Sequence, residues 1–103
     1  MPKFMNREPS LALYKAILQL KDLDECQKIF EDVCTVTEMR SMEQRYDVAV
    51  LLSQGKIYHD ILNQTGASSA TISRVSRMLS FGTGVLKSYA EQELENEEKK
   101  EEE

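Results

Sequence analysis

Apolar residues along this chain recur at three- and four-residue spacing and do not alternate, so the pattern predicts helices from end to end. After Pro9, Ser10 is placed to cap a first helix over about Leu11–Lys21. Leu11, Tyr14, Ile17 and Leu18 form its stripe, and Leu13 and Leu20 widen it. A break at Asp22–Asp24, with Asp24 as the cap, leads to a second helix over about Glu25–Cys34 that carries Ile29, Phe30 and Val33. Thr35-Val36-Thr37-Glu38 fits a capping box, in which the Thr and the Glu three residues on satisfy each other's backbone donors. It opens a third helix that runs to about Gln54, with Met39, Met42, Tyr46, Ala49 and Val50 along one side and Gly55 as the stop. Three shorter pieces follow, about Ile57–Thr65, Ser69–Ser80 and Val85–Glu95, separated by Gly66 and by Gly82 and Gly84. No alternating β-branched run is long enough for a strand, and no internal repeat appears. The predicted fold class is all-α, five to six short helices.

At 103 residues there is room for one compact domain and not comfortably two. We place it at residues 1–90, with 91–103 as an acidic, frayed helix end. Several short helices, each with a wide apolar face, exceed what one thin layer can bury. The first two are apolar enough to want a partner. That favours a homodimer in which they interlock, although a monomeric bundle could also absorb them.

Composition narrows the class. With 41% hydrophobic and 30% charged residues the chain is neither disordered nor membrane-embedded in character. Its longest apolar run is Val48–Leu52, far short of the roughly 20 residues of a membrane span. Lys3 and Arg7 near the N-terminus precede no apolar stretch of the kind a secretory leader needs, so the expected compartment is the cytoplasm. Cys26 and Cys34 fall within one predicted helix at a separation of roughly 12 Å, too far for a disulfide, and two cysteines with one distant histidine make no zinc pattern. Neither a metal nor a cofactor is implied.

A net charge of −5 argues against a nucleic-acid binder until it is divided. Residues 91–103 hold eight Glu against two Lys, whereas Gly55–Ala90 holds Lys56, Arg74, Arg77 and Lys87 against Asp60 alone. The basic part coincides with a helix-turn-helix layout over Ile57–Leu79. Two helices that cross steeply through a tight turn need a residue tolerant of positive φ at the corner, and Gly66 supplies it. The inner faces need apolar groups before the turn (Ile61), at it (Ala67) and along the second helix (Ile72, Val75, Leu79). The opposite face of that second helix shows Ser69, Ala70, Ser73, Arg74 and Arg77. A purely structural helix covers its outer face with mixed Lys and Glu; here no acidic residue stands between Asp60 and Glu91. Such a surface suits a major groove about 12 Å wide, with Arg forking onto guanine and small side chains meeting thymine methyls. Ser68 and Ser69, with free amides at the helix start, suit a phosphate. Thr71 shares that first turn. Lys56, Tyr58 and His59 stand at the start of the motif's first helix, where the backbone of a duplex would pass.

The stretch Gly66-Ala67-Ser68-Ser69-Ala70-Thr71-Ile72-Ser73-Arg74 resembles the recognition segment of the Trp repressor superfamily, in particular its YerC/YecD-type branch. Glu38, Arg40, Gln44-Arg45, Leu51-Leu52 and Gly55-Lys56 upstream, and Arg77-Met78-Leu79-Ser80-Phe81-Gly82 downstream, are similar to that branch too. The likeness covers Thr35–Gly82 well and the first two helices by pattern only. It implies an intertwined all-α dimer that sets two recognition helices in successive major grooves, hence a transcriptional regulator on double-stranded DNA. Two departures stand out. In the tryptophan-controlled repressors the indole lies over a glycine that follows the arginine matched by Arg74; this chain has Val75 there, so tryptophan is not expected as corepressor and any effector is unknown. Leu62 replaces the small residue usual in such motifs, which implies a tilt of the first helix.

Other readings are weighed against this one. His59 and Asp60 are adjacent, so on a helix they point about 100° apart and form no catalytic dyad; with no evident nucleophile, an enzyme is not expected. Arg45 resembles the arginine that helps hold tryptophan, but pairing with a neighbouring acid is the preferred reading. Met39, Met42 and Met78 read as core filler. The competing class is a helical protein-interaction module that uses the first helices and acidic tail and keeps the motif as packing. A third reading adds a small-molecule switch to DNA binding.

Overall fold

Six helices follow one another: α1 (Ala12–Leu18), α2 (Leu23–Val33), α3 (Val36–Ser53), α4 (Tyr58–Thr65), α5 (Ser69–Phe81) and α6 (Val85–Glu102). The computed structural model describes residues 8–102, and no strand occurs among them. Lys3, Arg7 and the last residue of the acidic tail lie outside the described residues. The chain divides into two compact units, with the boundary between Val36 and Thr37.

In the N-terminal unit, α1 is shorter than its apolar stripe predicts. It starts after Leu11, not Ser10, with no side-chain cap, and ends where the amides of Gln19 and Leu20 bond three residues back to Ala16 and Ile17. Such i→i−3 bonds tighten and close a last turn. Helix α2 starts earlier than expected because Asp22, not Asp24, is its cap: the Asp22 carboxylate accepts from the Glu25 amide at 2.8 Å. Asp24 and Glu25 then sit in the first turn, where the helix dipole favours negative charge. Neither helix holds a buried residue. Leu11, Tyr14, Leu23 and Val33 are exposed, and Leu18 is 84% exposed. Cys26 and Cys34 are free thiols, as the spacing predicts.

The C-terminal unit has a core. Val48 and Ala49 of α3, Ile61 of α4, Ala67 of the following turn, Ile72 and Val75 of α5 and Ala90 of α6 are buried, with Leu51, Leu52, Leu79 and Leu86 among those packed on their rim. The α5 stripe Ile72–Val75–Leu79 is the one its spacing predicts. On α3 the expected side is only partly right: Ala49 is buried, but Met39, Met42, Tyr46 and Val50 are half-buried and the neighbour Val48 takes the deep position. Five consecutive apolar residues sweep more than a full turn at 100° each, so periodicity does not single out the inward ones. Met78 is 37% exposed at the edge of the α5 stripe and is not core filler.

Two left-handed glycines end helices here, Gly55 before the motif and Gly66 at its corner. Gly55 has φ +79°, and the amides of Gly55 and Lys56 bond to the carbonyls of Leu52 and Leu51 at 3.0 and 3.1 Å. That pair of bonds is a Schellman stop. Gly66 has φ +73°, and its amide bonds to the Leu62 carbonyl at 2.9 Å, the simpler left-handed stop. Past Gly84 neither Gly nor Pro interrupts a Glu- and Lys-rich sequence of good helix formers, so α6 continues to Glu102, beyond the expected end near Glu95.

Ile72→Ala should lower the unfolding free energy by about 2–5 kcal/mol, the cost of deleting buried methyls and leaving a cavity. Leu62→Ala, at an exposed position, should stay within about 0.5 kcal/mol. Urea denaturation followed by circular dichroism distinguishes them; equal effects would contradict the assigned core.

Candidate nucleic-acid interface

The hinge of the site is the turn between α4 and α5. Thr65 holds it from three directions: its hydroxyl donates to the Ile61 carbonyl at 2.7 Å and accepts from the Ala67 amide at 3.1 Å, while its own carbonyl accepts from Gln44 Nε2 of α3 at 3.1 Å. Ala67 is buried, so the chain turns directly against the core. Leu62, expected to tilt the first helix of the motif, is exposed, and Ile61 occupies the inward position instead. The tie between Gln44 and Thr65 is not legible in the sequence, because a polar side chain that reaches 21 residues along the chain leaves no periodic trace.

Ser68 caps α5. Its hydroxyl accepts from the Thr71 amide at 3.2 Å and donates to the Thr71 hydroxyl at 3.1 Å. Thr71 is therefore half-buried and already partnered, while Ser69, Ala70, Ser73, Arg74 and Arg77 are exposed along one face. Ala70, Ser73, Arg74 and Arg77 share a shallow depression with Met78 and Phe81. Neither arginine is paired with an acid among the described residues. Arg74 and Val75 are adjacent yet opposite in environment: one is exposed, the other 0% exposed in the core. Burying the valine side chain contributes about 1.5–3 kcal/mol, which fixes which face of α5 looks outward.

Lys56, Tyr58 and His59 are all exposed around the start of α4. His59 Nε2 lies 3.3 Å from Asn63 Nδ2, its i+4 neighbour, and makes no contact with Asp60 among the described residues. Arg45 does not form the expected ion pair among the described residues. The reason is spacing: no acid lies three or four positions away on either side of Arg45, whereas Arg40 has Glu43 at i+3 and binds it at 2.6 Å. Tyr46 has its phenol pushed above the ordinary value, first by partial burial and then by the Glu93 and Asp47 carboxylates, so it stays neutral in the physiological range. No group of three or more potential metal ligands occurs among the described residues, and none of their helices is long and apolar enough to cross a membrane.

With this geometry in place, comparison with known proteins is informative. The family model of the Trp repressor protein matches residues 10–94, from before α1 well into α6. The chain belongs to the Trp repressor family. Members of this family are regulators, not enzymes. The uncharacterized protein YerC of Bacillus subtilis (strain 168) is 53% identical over 70 residues, which span 68% of this chain and 67% of YerC. The crystal structure of a TrpR-like protein from Eubacterium eligens ATCC 27750 superposes with a TM-score of 0.75 at 50% identity, covering 78% of this chain and 82% of that one. A Trp repressor candidate from Staphylococcus aureus superposes with a TM-score of 0.78 at 40% identity, covering 89% and 93%. The resemblance expected from the recognition segment is thus confirmed, and it extends to the N-terminal helices that sequence matched by pattern alone.

Ser68→Ala should cost about 1 kcal/mol of stability through loss of the cap, whereas Ser69→Ala, one position on and exposed, should change it by less than about 0.5 kcal/mol. Guanidinium unfolding of the two variants checks this; a larger loss at Ser69 would place the cap one residue later.

Proposed function

We propose that the protein is a sequence-specific, double-stranded-DNA-binding transcriptional regulator that acts as a homodimer and is not controlled by tryptophan. The observation that carries this reading is the two-sidedness of α5: Ile72 and Val75 are fully buried, while Ser69, Ala70, Ser73, Arg74 and Arg77 stand exposed with no acid among them. Arg77, Ser73, Ala70 and Ser69 are assigned to base edges in the major groove, and Arg74 to bases or the adjacent phosphates. Ser68, Thr71 and the amides at the start of α5, with Lys56, Tyr58 and His59, are assigned to the phosphate backbone, which sets register and supplies affinity. Residues 1–90 constitute the DNA-binding domain in this reading, and the acidic 91–103 segment lies outside it.

The homodimer rests on α1 and α2. Helices of 7 and 11 residues are too short to be stable on their own, and these bury nothing completely. Their exposed leucines and valines, together with Phe81 at 87% exposure, favour a partner, and a second copy also supplies the second recognition helix that a two-half-site operator needs. Exclusion of tryptophan rests on Val75, whose side chain fills the core directly behind Arg74.

Fluorescence anisotropy should find a duplex carrying two half-sites about one helical turn apart that the protein prefers, with affinity falling steeply as salt rises. Arg74→Glu/Arg77→Glu should abolish that preference in a folded protein, and tryptophan should leave it unchanged. Equal binding by wild type and the double variant would make the motif scaffolding and shift attention to protein partners of α1 and α2. Sedimentation equilibrium should show a dimer at micromolar concentration; a monomer with full helical content would refute the interlocked arrangement.

A further inference from the structure

In the Gln44–Thr65 contact, the side chain of a helix outside the motif takes hold of the motif's turn. Thr65 ends α4, and the last carbonyls of a helix lack partners within it. The Leu62 carbonyl is satisfied by Gly66 and the Ile61 carbonyl accepts a second bond from the Thr65 hydroxyl, but the Thr65 carbonyl is met by Gln44. The orientation of the amide is unambiguous, since only its NH2 end donates; turned over, two oxygens would face each other. The contact is part-buried, which raises its value and the cost of losing it. From Thr65 the chain of bonds continues through the hydroxyl to the Ala67 amide, one residue before the cap of α5. A displacement of Thr65 is therefore passed toward the start of α5 through a short β-branched side chain held at both its donor and acceptor sides.

We propose that Gln44 is a positioning residue for DNA recognition: by tethering the Thr65 carbonyl to α3 it fixes the angle at which α5 is presented to the groove. This rests on the DNA-binding reading above. Base contacts are more demanding than phosphate contacts, because bidentate hydrogen bonds tolerate little misalignment, whereas phosphate attraction is long-ranged and forgiving. Loss of the tether is thus expected in selectivity before it appears in general affinity. Gln44 itself stands on α3 and is assigned no base contact.

The test compares wild type, Gln44→Met (similar length and volume, no donor) and Gln44→Glu (similar shape, an acceptor where a donor is needed), with Arg74→Glu/Arg77→Glu as reference. Each is titrated by anisotropy against the selected two-half-site duplex and a scrambled duplex, and the Ala67 amide is followed by hydrogen exchange in two-dimensional NMR. Gln44→Met should lose about tenfold in affinity for the selected duplex while binding the scrambled one within about twofold of wild type, and Gln44→Glu should be at least as impaired. Faster exchange at Ala67 in both variants, with the core amides of Ile72 and Val75 unchanged, would trace the effect to the turn. If Gln44→Met keeps wild-type selectivity while Arg74→Glu/Arg77→Glu abolishes it, the positioning role is wrong and the DNA reading stands. If the arginine variant also leaves binding unchanged, the DNA reading itself fails. Equal losses on both duplexes accompanied by faster exchange across the whole core would reduce Gln44 to a stabilising residue and overturn the proposal.

Discussion

Everything the C-terminal unit presents to solvent depends on the packing of Ile61 and Ala67 against Ile72 and Val75 across a left-handed glycine. Three side chains on two helices and one in the turn between them, packed with Val48 and Ala49 of α3 and Ala90 of α6, make a small core that sets which face of α5 is buried. Once Ile72 and Val75 are inside, Ser69, Ser73 and Arg77 are outside by geometry, with no separate interaction required to aim them. The turn needs a left-handed residue at its corner, which Gly66 at φ +73° supplies without the strain an L side chain would bring, and the carbonyls it exposes have to be satisfied. Thr65 and Gln44 meet that second need.

The same economy explains Val75. At this position a repressor that holds an indole needs space, and the ligand completes the packing around the recognition helix. A valine completes it permanently. On the proposed reading, packing that an indole would complete is supplied by the buried Val75 side chain itself.

The motif was legible because its chemistry is local. A glycine at the corner, an apolar stripe at three- and four-residue spacing, and an acid-free opposite face all lie within about twenty residues, and the structure places Ile61, Ala67, Ile72 and Val75 as that pattern requires. Misreadings occurred where the deciding partner is distant in sequence or where two candidates compete nearby. Asp22 and Asp24 are both good caps, and the choice between them depends on where Leu23 turns helical. Val48 and Met39 are both apolar, and only the position of α4 and α5 tells which is inward. Gln44 is an unremarkable polar residue until Thr65 is beside it. Tertiary position is the missing term in each case, and local sequence does not contain it.

The N-terminal unit poses the opposite problem, since its apolar pattern calls for a partner and neither α1 nor α2 holds a buried residue. Ordering a residue costs about 1–2 kcal/mol of backbone entropy, and an 18-residue pair of short helices with no fully buried side chain has little to set against that. The balancing free energy has to come from contacts outside the N-terminal unit. If those contacts come from a second copy, as proposed, then folding of α1 and α2, dimerisation and the pairing of two reading helices are one equilibrium. A chain organised this way gains cooperativity on DNA without a ligand: below the dimerisation threshold it lacks both a complete fold and a second recognition helix, and above it the two arrive together. The marginal N-terminal helices are then the element that makes abundance a usable signal.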